Sequence, residues 1–119
     1  MENPPAYRCC QPWLLLEALD SERGVFLELA QIFRTETLDR YADIARACAT
    51  GAVRDMGFEA HSLKGTVGAV GAAGLVQLLQ QIEDDGLKHA RPCSAAQLAQ
   101  LAQLLQFARA DMDAFTASL

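Results

Sequence analysis

Clustered positive charge is what this 119-residue chain most lacks. Lys and Arg total 10 against 15 Asp and Glu, a net charge of −5 with a pI near 4.8. Phosphate backbones and anionic lipid surfaces both reward dense Lys and Arg, so nucleic acid and membrane surfaces are disfavoured as partners. Cysteine is present four times, at Cys9, Cys10, Cys48 and Cys93, but never as C-x-x-C, and there are only two histidines. A zinc site therefore has no recognisable ligand spacing. No secretory leader is visible, which leads us to expect reduced thiols and a cytoplasmic protein. The longest apolar run, Ala69 to Val76, is too short for a membrane span and carries two glycines. A Gly-rich phosphate loop, an acidic cluster for a nucleotide metal and the alternation of a β-strand are all missing as well.

What remains is helical periodicity. Hydrophobic residues make up 51% of the chain, enough for one core without staples. Residues 1–10, with Pro4 and Pro5, read as a loose tail, and 11–119 as a single domain. A short lead helix is expected over Trp13–Leu19, with Asp20 or Ser21 capping the next helix. There, Phe26, Ala30, Phe33, Thr37, Tyr41, Ile44 and Cys48 recur at steps of three and four, and Gly51 suits a left-handed end. Met56, Ala60, Leu63, Val67 and Val70 mark a second long helix, and Gly71 a break. Leu75, Leu78, Leu79 and Ile82 mark a third, with Gly86 near its close. Ser94-Ala-Ala-Gln97 forms a capping-box pattern ahead of a last helix through Phe115. The predicted fold is all-α: an antiparallel up-down four-helix bundle with a short N-terminal lead helix.

The second long helix carries an unusual outer stripe. With His61 at zero and about 100° per residue, Gly57 falls at roughly −40°, Lys64 at −60°, Gly65 at +40° and Gly68 at −20°. Leu63, Val67 and Val70 lie on the opposite side, so His61 is expected to face solvent. Each helical glycine costs about 0.5–1 kcal/mol relative to alanine, and nothing in helix formation requires them. They do clear side chains from around the imidazole. A small substrate would call for a pocket, whereas a bare nucleophile on a cleared surface suits a macromolecular partner. A neutral imidazole, with an ordinary pKa of about 6.5, can attack an activated phosphoryl group. Lys64, one turn along, can neutralise phosphoryl oxygens.

The run Ala60-His61-Ser62-Leu63-Lys64-Gly65-Thr66-Val67-Gly68-Ala69-Val70-Gly71 resembles the signature of the histidine-containing phosphotransfer (HPt) domain family, close to A-H-x-L-K-G-x-x-x-x-[LIV]-G. The resemblance extends over about Leu14 to Phe115. Gln80-Gln81-Ile82-Glu83 is similar to the stretch in which the family's following helix lays polar side chains near the histidine. The resemblance implies a monomeric carrier without kinase activity of its own. Its histidine would accept phosphate from an aspartate of one receiver domain and pass it to another. His61 would be the phosphorylated residue, Lys64 the phosphate-stabilising one, and Gly65 the position that lets a receiver approach.

Gly57, Gly68, Phe58 and Glu83 are further candidates for the partner-facing surface. Phe58, at roughly +60°, would serve either in an apolar patch that meets the receiver or in packing against a neighbouring helix. Ala69 departs from the polar residue many members carry there. Expected partners are response-regulator receiver domains or a hybrid sensor histidine kinase. No cofactor is expected on this chain, since any Mg²⁺ would sit on the receiver. Rival readings are a helical adaptor that binds receiver or kinase domains without being phosphorylated, a histidine kinase fragment, and a metal-binding bundle. The kinase fragment lacks a nucleotide-binding loop, and the metal bundle lacks paired Glu-x-x-His motifs.

Overall fold

The structure, a computed structural model, describes residues 7–119. Its elements are α1 (Trp13–Ala18), α2 (Arg23–Thr50), α3 (Val53–Gly68), α4 (Ala73–Leu87) and α5 (Ala95–Ser118). No strand occurs among the described residues. In the bundle, α2 packs on α3 and α5, and α4 packs on α3 and α5, which is the ring order of an up-down four-helix bundle. The chain forms a rod of 49 × 25 × 19 Å.

The apolar stripes meet along the axis, with Phe26, Ile44, Met56, Leu63, Leu75, Leu79, Ile82, Leu101 and Leu105 essentially fully buried. Thr37 is the polar member of the α2 stripe and has no exposure. Its hydroxyl donates to the Phe33 carbonyl at 2.9 Å and accepts from Arg109 Nη1 at 3.3 Å, so burial leaves no polar atom unpaired. Between α2 and α3, Arg40 bridges Glu36 (3.0 Å) and Glu59 (2.8 Å).

The helix ends follow capping chemistry in part. Gly51 closes α2 with φ 77°, and Gly71 turns the chain between α3 and α4 with φ 70°. Ser94 and Gln97 form the reciprocal capping box of α5, at 3.1 and 2.8 Å. The expected cap of α2 differs. Glu22 occupies that position without a side-chain bond, whereas Asp20 and Ser21 take positive φ values of 52° and 60°. They form the tight turn that ends α1, in which Ser21 N–H donates to the Leu16 carbonyl at 2.9 Å. Gly86 also differs: α4 continues through it to Leu87.

The expected loose tail is corrected for its described part; residues 1–6 lie outside the described residues. Asp111 of α5, only 6% exposed, accepts the backbone N–H groups of Arg8 (3.1 Å), Cys9 (2.7 Å) and Cys10 (3.0 Å). Gln11 N–H then donates to the Val70 carbonyl at 2.7 Å, at the α3–α4 turn. The lead segment is thus tied to both sides of one bundle end.

The closest helix pair is α3 and α4. A Cβ built on Gly86 would fall 2.9 Å from Gly57 N and 3.0 Å from Gly57 Cα, and closer still to the Val53 carbonyl oxygen. Here two backbones touch, and only glycine fits.

Two stability effects follow. Gly86→Ala must push the two helices apart, and is expected to lower unfolding stability by about 2 kcal/mol or more despite alanine's better helix propensity; urea unfolding measures this. Asp111→Ala leaves three backbone donors without their charged acceptor and should cost about 2–4 kcal/mol in the same assay.

Candidate functional site

The α3–α4 contact sets a ladder of opposed residues. The helices are antiparallel, so one turn beyond Gly57 on α3 meets one turn before Gly86 on α4. That step pairs His61 with Glu83. The next pairs Lys64 with Gln80, and beyond it Gly68 meets Val76 at 3.8 Å from an added Cβ.

The polar rungs are hydrogen-bonded throughout. His61 Nδ1 lies 2.7 Å from Glu83 Oε1, while 65% of the His61 side chain remains exposed. Lys64 Nζ donates to Gln80 Oε1 at 2.6 Å and to Glu83 Oε1 at 3.1 Å. Gln80 Nε2 donates to Glu83 Oε2 (3.2 Å) and to Asp84 Oδ1 (3.0 Å). Gln80 thus uses both ends of its amide, holding the Lys64 ammonium and the Glu83 carboxylate in one arrangement.

The charge state of Glu83 determines what His61 can do. Partial burial pulls the Glu83 carboxyl upward, but the hydrogen bonds from Lys64 and His61 outweigh it, and the net position is below the ordinary value of 4.5. Glu83 is therefore ionised at neutral pH and can only accept. The ring nitrogen facing it must carry the proton, so a neutral His61 holds Nδ1–H and presents the Nε2 lone pair outward. Lys64 has a third donor beyond the two it spends on Gln80 and Glu83, and can offer it to an anion beside His61.

The surface around the ring is open. A Cβ on Gly65 would meet nothing within 4 Å, and Gly68 and Ala69 are exposed. Phe58, one turn before His61, is 50% exposed with the Arg54 guanidinium 5.3 Å above its ring. Among the described residues, three grooves on the bundle have volumes of about 300–400 Å³, and His61 lines none of these three. One is largely apolar and lies between α2 and α3, where Leu29 and Ile32 face Thr66 and Ala69. Among the described residues no group of three or more His, Cys, Asp or Glu is placed to hold a metal, and no helix is long and apolar enough to cross a membrane.

Gly57 departs from its expected place. It lies on the stripe by angle but is buried, with a Cβ there falling 2.7 Å from Leu87 Cγ. Its role is the helix contact and not a cleared surface, because at close approach the −40° flank of α3 faces α4. As a glutamine on a helix surface, Gln80 carries no chemical signature of its own in the sequence. Its signal lies in spacing, three residues before Glu83. Ile32 likewise lies off the core stripe of α2, and its 54% exposure is visible only in the folded chain.

The family model described as Hpt domain matches residues 28–111, more than half of the chain and all four rungs of the ladder. No curated protein and no solved structure gives a significant match.

The tautomer is open to direct measurement. Nitrogen-15 NMR of His61 is expected to show protonation at Nδ1 near neutral pH, and Glu83→Gln should weaken that preference. The stabilising effect of the Glu83 contacts should be fully present above about pH 4.5, since the folded carboxyl is held below its ordinary value, and should disappear as pH falls through that lowered value. Glu83→Gln should remove this acid limb from the His61 signal.

Proposed function

This chain belongs to the Hpt domain family, whose members act in histidine phosphotransfer in two-component systems as carriers more than as catalysts, and from that premise we propose that His61 is the residue that carries the phosphoryl group. The observation that supports this most is the 2.7 Å contact between Nδ1 and the Glu83 carboxylate beneath a ring otherwise open to solvent.

The chemistry follows from the tautomer. An aspartyl phosphate on a docked receiver domain presents its phosphorus to Nε2. The Nε2–P bond forms as the bond from phosphorus to the aspartate oxygen breaks, and the electron pair leaves with the receiver's carboxylate. The His61 ring keeps its Nδ1 proton and so gains positive charge, which Glu83 balances through the existing hydrogen bond. Lys64 turns its third donor to the transferred oxygens. Positioning and charge neutralisation supply most of the rate enhancement in such transfers. Reversal onto a second receiver uses the same contacts.

Docking would take place on the face formed by α2 and α3. Gly65 and Gly68 leave backbone-height clearance beside His61, and Phe58 and Ile32 offer apolar surface on that face. Catalytic Mg²⁺ would be held by the receiver. The protein would work as a cytoplasmic monomer, taking phosphate from a receiver or hybrid sensor kinase.

Incubation with a phosphorylated receiver should place an acid-labile, base-stable phosphate on the chain, and His61→Gln should abolish it. Lys64→Ala is expected to slow transfer by about 10–100-fold. Gly65→Gln should slow it through blocked docking while leaving the fold as stable or slightly more so, because the position is open and helical. Phosphate that survives His61→Gln would refute the assignment; receiver binding without any labelling would identify an adaptor.

A further inference from the structure

We propose that Cys48 and Cys93 are a reversible dithiol–disulfide pair, a covalent modification site on the side of the bundle formed by the end of α2 and the α4–α5 connection. The proposal stands apart from the phosphotransfer reading and holds whether or not His61 is phosphorylated.

The two sulfurs lie 3.5 Å apart, with the Cys93 thiol directed at Cys48 Sγ. The Cys48 thiol in turn donates to the Cys93 carbonyl at 3.0 Å. A disulfide has S–S at about 2.05 Å, so closure needs an approach of about 1.5 Å. The backbone can supply it. Cys48 lies in the last turn of α2, and Cys93 in the irregular segment ahead of the α5 cap, where Ala90 already has a φ of 49°. Among the described residues, the Cys93 N–H is held only by a 3.4 Å contact to Met56 Sδ, a weak acceptor. Neither cysteine is locked into a strong network that oxidation would have to break.

The two thiols are unequal in access. Cys48 is half-buried, whereas Cys93 is 5% exposed. Burial pushes the Cys93 thiol up to about 12, and its hydrogen bond to Cys48 adds to that. Cys48 is therefore the thiol that an outside disulfide reaches first. The order of reaction follows. Cys48 thiolate attacks one sulfur of a low-molecular-weight disulfide such as oxidised glutathione, forming a mixed disulfide and releasing one glutathione thiolate. Cys93 then gives up its proton to solvent, attacks Cys48 Sγ and expels the second glutathione. The chain loses two protons and two electrons, and one oxidised glutathione becomes two reduced ones. By contrast, the Cys10 thiol is turned away to the Ala108 carbonyl at 3.6 Å, and burial together with Asp111 raises both Cys9 and Cys10.

The bond would enclose residues 49–92, and with them His61, Lys64, Gln80 and Glu83. It would staple the end of α2 to the start of α5 around the α3–α4 pair.

The test uses the full chain equilibrated over a range of oxidised to reduced glutathione, acid-quenched, alkylated and mapped by peptide mass. A Cys48–Cys93 cross-linked peptide is expected, reversed by dithiothreitol, with the thermal midpoint raised by about 5–10 °C in the oxidised form. Cys93→Ser should trap glutathione on Cys48, and Cys48→Ser should leave Cys93 unmodified. Cross-links to Cys9 or Cys10 instead, a lasting glutathione adduct on Cys48 of the unaltered chain, or full retention of both thiols at every ratio would each overturn the proposal.

Discussion

Everything chemical about this bundle depends on two backbones touching. At Gly57 and Gly86 the helices α3 and α4 approach until a single methyl group would collide with main-chain atoms. Helices in globular proteins usually lie 8–10 Å apart, separated by their side chains. Removing both side chains at one crossing draws the following turns together as well. That approach lets Glu83 reach His61 Nδ1 and lets Gln80 reach Lys64, neither of which is adjacent in sequence to its partner. A contact with no reactive group of its own therefore sets the distance over which the reactive groups meet.

The polar ladder above that contact is organised around one carboxylate. Glu83 accepts from His61, Lys64 and Gln80, and those bonds hold it ionised against the opposing effect of partial burial. An ionised acceptor fixes which imidazole nitrogen is protonated and leaves the other as a lone pair on the open side. Had burial prevailed, a neutral carboxyl could itself donate, and the outward nitrogen would no longer be specified. The electrostatic balance at Glu83 is thus the link between packing and the tautomer of the imidazole.

The opposite requirement applies to the outer face. The core is closed by apolar side chains and by the Asp111 clasp on the lead segment. Around His61, however, Gly65 and Gly68 leave the surface low, and Phe58 and Ile32 stay exposed at some cost in solvation.

The helices, their order and the position of His61 on the outer stripe were readable from periodicity, because a 3.6-residue repeat sorts residues to one side or the other without knowledge of the partner helix. Gly51 and the Ser94–Gln97 box were legible for the same local reason: a cap depends on residues three or four apart. The signature around His61 and Lys64 is also local, and the family match covers it. What a single helix cannot reveal is which of its flanks a neighbour will occupy. Gly57 and Gly65 stand symmetrically about His61 on the wheel, yet one is buried against Leu87 and the other open. Only the packing of α4 against one flank separated them. The same holds for the clasp of residues 8–10 on Asp111 and for the meeting of Cys48 with Cys93. These contacts span about 45 to 103 positions of chain, and only the folded bundle brings them together.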